Sequence, residues 1–501
     1  MKRILSRFAG APLLLALACG GETPPPGAPH AGSASAPPTA SVDALGARPP
    51  LGDPAPYAPP TPTVYTRDNG LTVWLLERHS LPIVSMQIVV RSGAADDPEG
   101  KAGVAYQTAN MLDEGAGKRG ALDLSREIDR LGASIRTGAF ADYSFAQLTV
   151  LKKNLGPAAG LLGDVVVRPQ LAPVEWKRIH DLWENGLKAR QTEPDAVAGV
   201  VIAKKAYPAG SAYAHPVDGL LSSAPKVALD DVKKFYGEHY KPENATCVVV
   251  GDIARAELDT VLDQAFAGWS QGGARTMKPK PQATEAAAPA PAGRKIVIVD
   301  RADAPQSVIA VARRGVAASD DASAALTRVN GALGGSFTSR LNQDLREEHG
   351  WSYGAHSRFS FNRNRGLFVA QAAVVTEHTG EALKAMLSDI DSLAKSGLTD
   401  DEVEKTKQLA RGDLVQAFET VSSAAMRLGR DAGVGQAAER EAVLAKAMAA
   451  ATKSDLAKLA ATYIDAKDAV VVIVGPRAQI EPQLKSAGIE GTIEAAGPEG
   501  Q

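Results

Sequence analysis

The sequence predicts an α+β protein of two homologous halves, each a mostly antiparallel sheet covered by helices. Three observations lead there. The first is a helix-then-strand segment that occurs twice at one spacing, from Asp231 to Gly251 and from Asp455 to Gly475. Leu229-Asp230-Asp231-Val232-Lys233-Lys234-Phe235 opens a helix, and Thr246 to Val250 forms a β-branched run ending on Gly251. Ser454-Asp455-Leu456-Ala457-Lys458-Leu459 opens the other, and Val470 to Val474 ends on Gly475. An acidic helix start, a branched strand and a Gly turn are the expected punctuation. The second observation is a pair of earlier strands, 84–91 and 307–313, each followed by a helical segment. The third is a long helical stretch in the middle of each half, 173–206 and 381–434. Repetition of the whole pattern reads as duplication.

Composition narrows the function classes. At 501 residues the chain exceeds a single small domain. Lys and Arg total 55 against 57 Asp and Glu, a formal charge of −2. Without a basic excess, nucleic acid is not the expected partner. Two cysteines, Cys19 and Cys247, exclude a disulfide scaffold, a Cys-based zinc site and an iron–sulfur cluster. Cys247 lies in Ala245-Thr246-Cys247-Val248-Val249-Val250 and reads as a buried strand thiol.

The chain begins with Lys2, Arg3 and Arg7, then a short apolar run to Ala18. That run is too short to span a bilayer and fits a signal peptide over residues 1–18. Leu15-Ala16-Leu17-Ala18-Cys19 resembles a bacterial lipobox, which makes Cys19 the expected lipidation site. Residues 19–62, rich in Pro, Ala, Gly and Ser, read as a disordered tether. The expected location is the cell envelope, as a lipoprotein held to the membrane by its lipid. Gly20 after Cys19 points to the outer membrane, facing the periplasm. A second Pro- and Ala-rich stretch, 272–293, reads as a linker between a first half at 63–271 and a second at 294–480; 481–501 reads as a tail.

Val90-Arg91-Ser92-Gly93-Ala94, Asp97-Pro98-Glu99-Gly100 and Gly103-Val104-Ala105 resemble the approach to the metal helix of the insulinase/pitrilysin peptidases, the inverted-motif H-x-x-E-H zinc enzymes. The resemblance continues through Tyr207-Pro208, His215-Pro216, Gly219 and Val250-Gly251-Asp252. It resumes at Gly334-Gly335-Ser336-Phe337-Thr338-Ser339-Arg340-Leu341, Leu345-Arg346-Glu347, Gly350 and Tyr353. It implies two facing halves around a clam-like chamber. It also locates a break. Where the family's motif belongs, the sequence reads Tyr106-Gln107-Thr108-Ala109-Asn110. Tyr106 and Asn110 take the two His positions and Ala109 takes that of the base. Lys177 falls best at the third ligand, a Glu in the family, with Glu175 and Glu184 as alternatives. Positions i, i+3 and i+4 share a helix face, so two imidazoles and a carboxylate there could grip zinc. A phenol and an amide are poor zinc ligands at neutral pH, and an alanine cannot accept a proton from water. No other His pair rescues the site, since the nearest two, His349 and His356, are seven apart. No metal and no other cofactor is expected in this chain.

The family also carries an Arg and a Tyr on the second half, facing the zinc, and here they are Arg346 and Tyr353. In the family the Tyr hydroxyl bonds the scissile carbonyl and the Arg holds the substrate main chain. The structural alternative pairs Arg346 with Glu347 or Asp344 and buries Tyr353 in the core. Family substrates add as a strand to a sheet edge of the first half; the matching segment is Gly138-Ala139-Phe140-Ala141-Asp142-Tyr143, with Ala139, Phe140 and Ala141 as substrate-binding residues. An ordinary hairpin is the other reading. The resemblance thus implies a peptidase-like chain inactive alone, which supplies Arg346 and Tyr353 to a zinc-bearing partner with an intact H-x-x-E-H. A peptide-binding or assembly scaffold, and a self-sufficient peptidase with unusual ligands, are the competing readings.

Overall fold

The two helix-then-strand repeats occupy the same place in two separate sheets, and the architecture is easiest to read from them. The computed structural model describes residues 57–270 and 293–501. The signal peptide, Cys19, most of the tether and nearly all of the 272–293 linker lie outside the described residues.

The first sheet comprises β1 (Thr63–Thr66), β2 (Thr72–Glu77), β3 (Ile83–Val90), β4 (Ser134–Ala139), β5 (Ser144–Leu151) and β6 (Ala245–Gly251), in the order β1-β2-β6-β3-β5-β4. The second comprises β7 (Lys295–Asp300), β8 (Gln306–Arg314), β9 (Ser352–Ser360), β10 (Leu367–Val375), β11 (Val470–Gly475) and β12 (Thr492–Ala495), in the order β12-β7-β11-β8-β10-β9. Position for position the two orders correspond. Both sheets are mixed. β6 runs parallel to β2, and β11 parallel to β7, because a whole half-domain of chain separates each pair. β6 and β11 are buried at every residue, which their unbroken branched runs anticipate for strands covered on both faces.

The helices that place the site are α1 (Val104–Met111), α2 (Pro173–Arg190), α3 (Pro194–Ala206), α4 (Leu229–His239), α5 (Ala322–Leu333), α6 (Val421–Gly433) and α7 (Lys453–Tyr463). α4 feeds β6 and α7 feeds β11. Their N-termini are closed in the same way, Asp231 on the Ala228 N–H and Asp455 on the Thr452 N–H. This is the duplication expected from the sequence.

Each sheet lays one face on helices of its own half, giving two separate cores around Met86 and Leu148 and around Ile309 and Leu383. The other face of each sheet is covered by the opposite half. From α3, Val197, Val201 and Ile202 pack on Val308, Ala310, Val472 and Val474 of the second sheet. From α6, Ala424, Ala425 and Leu428 pack on Trp74, Leu76, Val248 and Val250 of the first. Small residues permit the approach of α6: a Cβ at Gly433 would sit 2.4 Å from the Tyr143 ring. The hairpin tips meet as well, with Arg363 donating its backbone N–H and its guanidinium to Asp142.

The ends of the body differ from expectation. Residues 481–501 are not a tail. They finish a helix, contribute β12 parallel to β7, and bring the Glu499 carboxylate to the Leu221 N–H. At the other end Tyr57, inside the expected tether, packs against the cluster under α6. Among the described residues no helix is long and apolar enough to cross a membrane.

Candidate functional site

A buried carboxylate sets the start of α1. Asp97 accepts from the Gly103 N–H at 2.6 Å and the Ala105 N–H at 2.7 Å, two of the donors a helix N-terminus leaves unpaired. Burial pushes the Asp97 carboxyl up to about 7. Gly103 has φ 105, and a Cβ there would strike the Trp183 ring at 2.5 Å, so glycine is required by both backbone and neighbour. Asp97 and Gly103 together fix the phase of α1.

That phase puts Tyr106 and Asn110, one turn apart, on the wall of a cleft of about 650 Å³. The opposite walls are Ile135, Arg136 and Thr137 of β4 and Ile179, Leu182, Trp183 and Gly186 of α2. Ala109 is fully buried and does not line it. Lys177 is not at the third position. It points to solvent from another face of α2 and pairs with Asp181 at 2.7 Å. Glu175 is drawn to Arg178 at 2.9 Å and Glu184 to Lys188 at 3.7 Å, and neither lines the cleft. The helical repeat explains the correction: residues 179, 182, 183 and 186 share the inward stripe and 177 does not.

The donors facing the cleft do not fit zinc. Tyr106 and Asn110 present a phenol and an amide, and the α2 stripe opposite adds no zinc ligand: Ile179 and Leu182 are apolar, and the Trp183 indole N–H is donated to the Asp218 carbonyl at 2.7 Å. Among the described residues no three His, Cys, Asp or Glu side chains are grouped to hold a metal ion. The acids at the rim are otherwise engaged: Glu114 pairs with Arg178, and Asp218 with Arg190 at 2.5 Å. Asp113 is raised from the usual carboxylate range by burial.

The second half presents its residues outward. A single helical turn at Arg340–Asn342 continues as a π-helical segment, Gln343–Glu348, and the Trp351 N–H closes back on the Leu345 carbonyl at 2.9 Å. Arg346 projects from this segment. Its guanidinium carbon stands 4.6 Å from the centroid of the Phe337 ring, and its Nε lies 3.2 Å from Glu347. Tyr353, near the start of β9, is 90% exposed, with no hydrogen bond to its hydroxyl among the described residues. Placement in the core is therefore overturned for Tyr353. Arg346 does pair with Glu347, but not with Asp344, which sits 3.1 Å from His349.

Beside this segment lies a three-ring stack that the sequence did not signal. Trp351 lies flat on His349, with ring centroids 3.9 Å apart, and also stacks on His378 at 5.3 Å. His378 comes from beyond β10, so no local spacing joins the three.

At the proposed substrate edge, β4 is the outer strand of the first sheet. Of the three expected residues only Ala139 lies in it. Phe140 and Ala141 form the hairpin turn, and their carbonyls are taken by the Ala94 and Ala95 N–H groups. The edge open to a further strand is thus Ser134–Ala139.

Comparison with known proteins agrees with this architecture. Residues 72–214 match the family described as insulinase (peptidase family M16), and residues 226–409 match the peptidase M16 inactive domain. An uncharacterized zinc protease of Streptomyces coelicolor is 25% identical over 372 residues, 73% of this chain and 79% of that protein. One from Mycobacterium tuberculosis is 26% identical over 381 residues, 75% of this chain and 84% of that protein. Subunit 1 of the bovine mitochondrial cytochrome b-c1 complex is 23% identical over 211 residues, 42% of this chain and 44% of that one. Among solved structures, a protease from Helicobacter pylori superposes with a TM-score of 0.78 at 19% identity, over 84% of this chain and 100% of that one. The peptidase M16 inactive domain from Pseudomonas fluorescens gives 0.75 at 23%, over 83% and 98%. With the first half similar to the insulinase (peptidase family M16) model and the second to the M16 inactive domain, the chain is a homologue of the M16 peptidases, and the solved structures share its fold.

Proposed function

We propose that this chain is a zinc-free subunit that assists peptide hydrolysis by offering Arg346 and Tyr353 to a zinc-bearing member of the same family. One contrast carries the reading. No histidine lines the α1 cleft, while Tyr353 holds out an unpaired hydroxyl at 90% exposure beside the segment that carries Arg346. A large aromatic residue left in water is costly to explain by packing. A neutral hydroxyl placed to meet a developing oxyanion has a clear use, at about 2.7–4 kcal/mol per donor. The guanidinium over Phe337 is preset to hold a carbonyl or carboxylate of a bound peptide. In this reading the partner's first half supplies zinc and base, the peptide adds to a sheet edge, and this chain's second half closes the site. The lipid on Cys19 would keep the pair at the envelope membrane, on the periplasmic side of the outer membrane.

A second reading is favoured by one observation, the similarity to a cytochrome b-c1 complex subunit: the chain would brace an assembly or hold peptides without chemistry. Tyr353→Phe separates the two. Assayed with a co-expressed H-x-x-E-H family member, it should leave association intact and lower peptide turnover about 10²–10³-fold. An unchanged rate, or full activity of the partner alone, would favour the scaffold. Because Tyr353 is exposed, the substitution should leave stability within about 0.5 kcal/mol, so lost turnover would not reflect unfolding.

A further inference from the structure

Segment 492–501 leaves the second sheet and closes on the first half through one carboxylate. β12 lies parallel to β7, and the Ala496 N–H continues that ladder on the Ile298 carbonyl at 3.0 Å. Glu494 pairs with Lys205 of α3 and, at 2.7 Å, with Lys295. The chain then turns back on itself, with the Gly497 N–H on the Gln501 carbonyl at 3.0 Å. Gly500, at φ 74, lies against the stem of Lys204, where a Cβ would stand 3.1 Å away. From this turn Glu499 reaches the first half and accepts from the Leu221 N–H at 2.6 Å and the Ser222 N–H at 3.3 Å. Both donors open a helical turn and have no backbone acceptor among the described residues, so the carboxylate takes what the turn leaves unpaired.

The loop held in this way, 218–224, is also the one that seats the cleft. α2 grips it from the other side: Trp183 donates its indole N–H to the Asp218 carbonyl at 2.7 Å, and Arg190 donates to the Gly219 carbonyl at 2.8 Å. The Ser223 hydroxyl donates to the Ala102 carbonyl at 2.7 Å, directly before Gly103 and the first turn of α1. Gly219, at φ 82, lies so close that a Cβ would stand 2.4 Å from the same carbonyl oxygen. We propose that segment 492–501 is a strap, with Glu499 as its catch, that couples the second sheet to the loop framing the α1 cleft. Thr492, Ile493 and Ala495 are exposed, so the strap can lift without opening either core. Seated, it fixes the loop, the start of α1 and the α2 wall against the second sheet. Lifted, it leaves them only the contacts of their own half. A force or partner that draws β12 from β7 is therefore felt at the cleft, whether or not a zinc-bearing chain is present.

The test is hydrogen exchange, read by mass spectrometry on the purified full chain at constant pH. Glu499→Ala should quicken exchange in peptides spanning 218–224 about tenfold or more, the loss expected for a hydrogen bond to a charged group. It should also quicken, by a smaller factor, the peptide running through Ala102 into the first turn of α1, while β8 and β11 keep their protection. Glu499→Gln keeps an oxygen at the same reach without the charge, and should fall between Glu499→Ala and the parent chain. Glu499 is only partly buried, so both variants should melt close to the parent. Coupling of this kind runs both ways. Ser223→Ala, which removes the hydroxyl joining the loop to Ala102, should therefore quicken exchange in 492–501, across the Glu499 contact. Unchanged exchange at 218–224 in Glu499→Ala, a change confined to that loop, or no response of 492–501 to Ser223→Ala would overturn the proposal.

Discussion

The first half keeps its polar residues inside a cleft, and the second half sets its own on the surface. Both halves are made from the same strand order and the same helix-then-strand unit, so backbone architecture does not cause the difference. What differs is which side chains sit on the inward stripe. α1 turns Tyr106 and Asn110 to a walled space, whereas the segment after α5 turns Arg346 and Tyr353 to solvent. A duplicated fold can therefore keep its packing everywhere and change its chemistry at a handful of positions. Packing is shared by dozens of buried residues, and the chemistry rests on three or four.

The sharpest way to break this comparison is to restore the first half. Tyr106→His and Asn110→His put two imidazoles on one face of α1, and a carboxylate from α2 completes three ligands. The geometry says where it must come from. Gly186 lines the cleft, and a Cβ built there meets nothing within 4 Å, whereas Lys177 points to solvent. The triple variant with Gly186→Glu should retain one zinc per chain after dialysis, measured by metal analysis, and the triple variant with Lys177→Glu should retain none. Equal zinc in both would show that the α2 phase is wrong.

The second test separates the halves mechanically. α6 belongs to the second half but roofs the first sheet, and it comes close only because Gly433 has no side chain against Tyr143. Gly433→Ala forces a methyl into a buried ring and should cost about 1–3 kcal/mol. If the roof is what joins the halves, denaturant unfolding followed by proteolysis should show the two halves loosening together. Loss of one half alone would show that each core holds without the exchanged helix.

The third is confined to the cleft. Asp97→Ala leaves two N–H groups at the start of α1 without their acceptor and should cost about 0.5–2 kcal/mol in thermal melting. Tyr353-dependent turnover with a partner should change little.

What could be read beforehand follows from the range of each signal. Period and punctuation are local, so the repeated unit at Asp231 and Asp455, the central strands and the i, i+4 spacing that sets Tyr106 and Asn110 on one helix face were legible. The phase of α2 was not: Trp176, Ile179, Leu182 and Trp183 allow more than one apolar stripe, and only packing against α1 selects the one through Gly186. β12 was missed because Thr492-Ile493-Glu494-Ala495 is short and lacks a branched run; its strand character comes from β7 beside it. The exchange of α3 and α6 was invisible for the same reason.

The smallest expected effect lies where the two repeats differ by one side chain. α4 ends on His239 and α7 ends, at the matching position, on Tyr463. His239 is buried against Phe235 and exchanges a hydrogen bond with the Ser92 hydroxyl at 2.8 Å. Burial holds its imidazole below the usual value, against the weaker opposite pull of Asp96 and Glu238. The folded chain therefore binds a proton at this site less readily than the unfolded chain. Its contribution is complete above the ordinary histidine pKa of about 6.5 and is lost as pH falls from there toward the lowered folded value. The second half has no histidine at the matching position, where Tyr463 stands, and so no counterpart. On lowering pH from 7.5 to 5, amide hydrogen exchange should quicken in β6 and the 92–97 segment, after correction for intrinsic rates, before it does in β11. His239→Gln should remove most of that difference while keeping a side chain that can bond Ser92. If β6 and β11 lose protection at the same pH in both proteins, the halves respond to acid as one unit and the asymmetry does not reach stability.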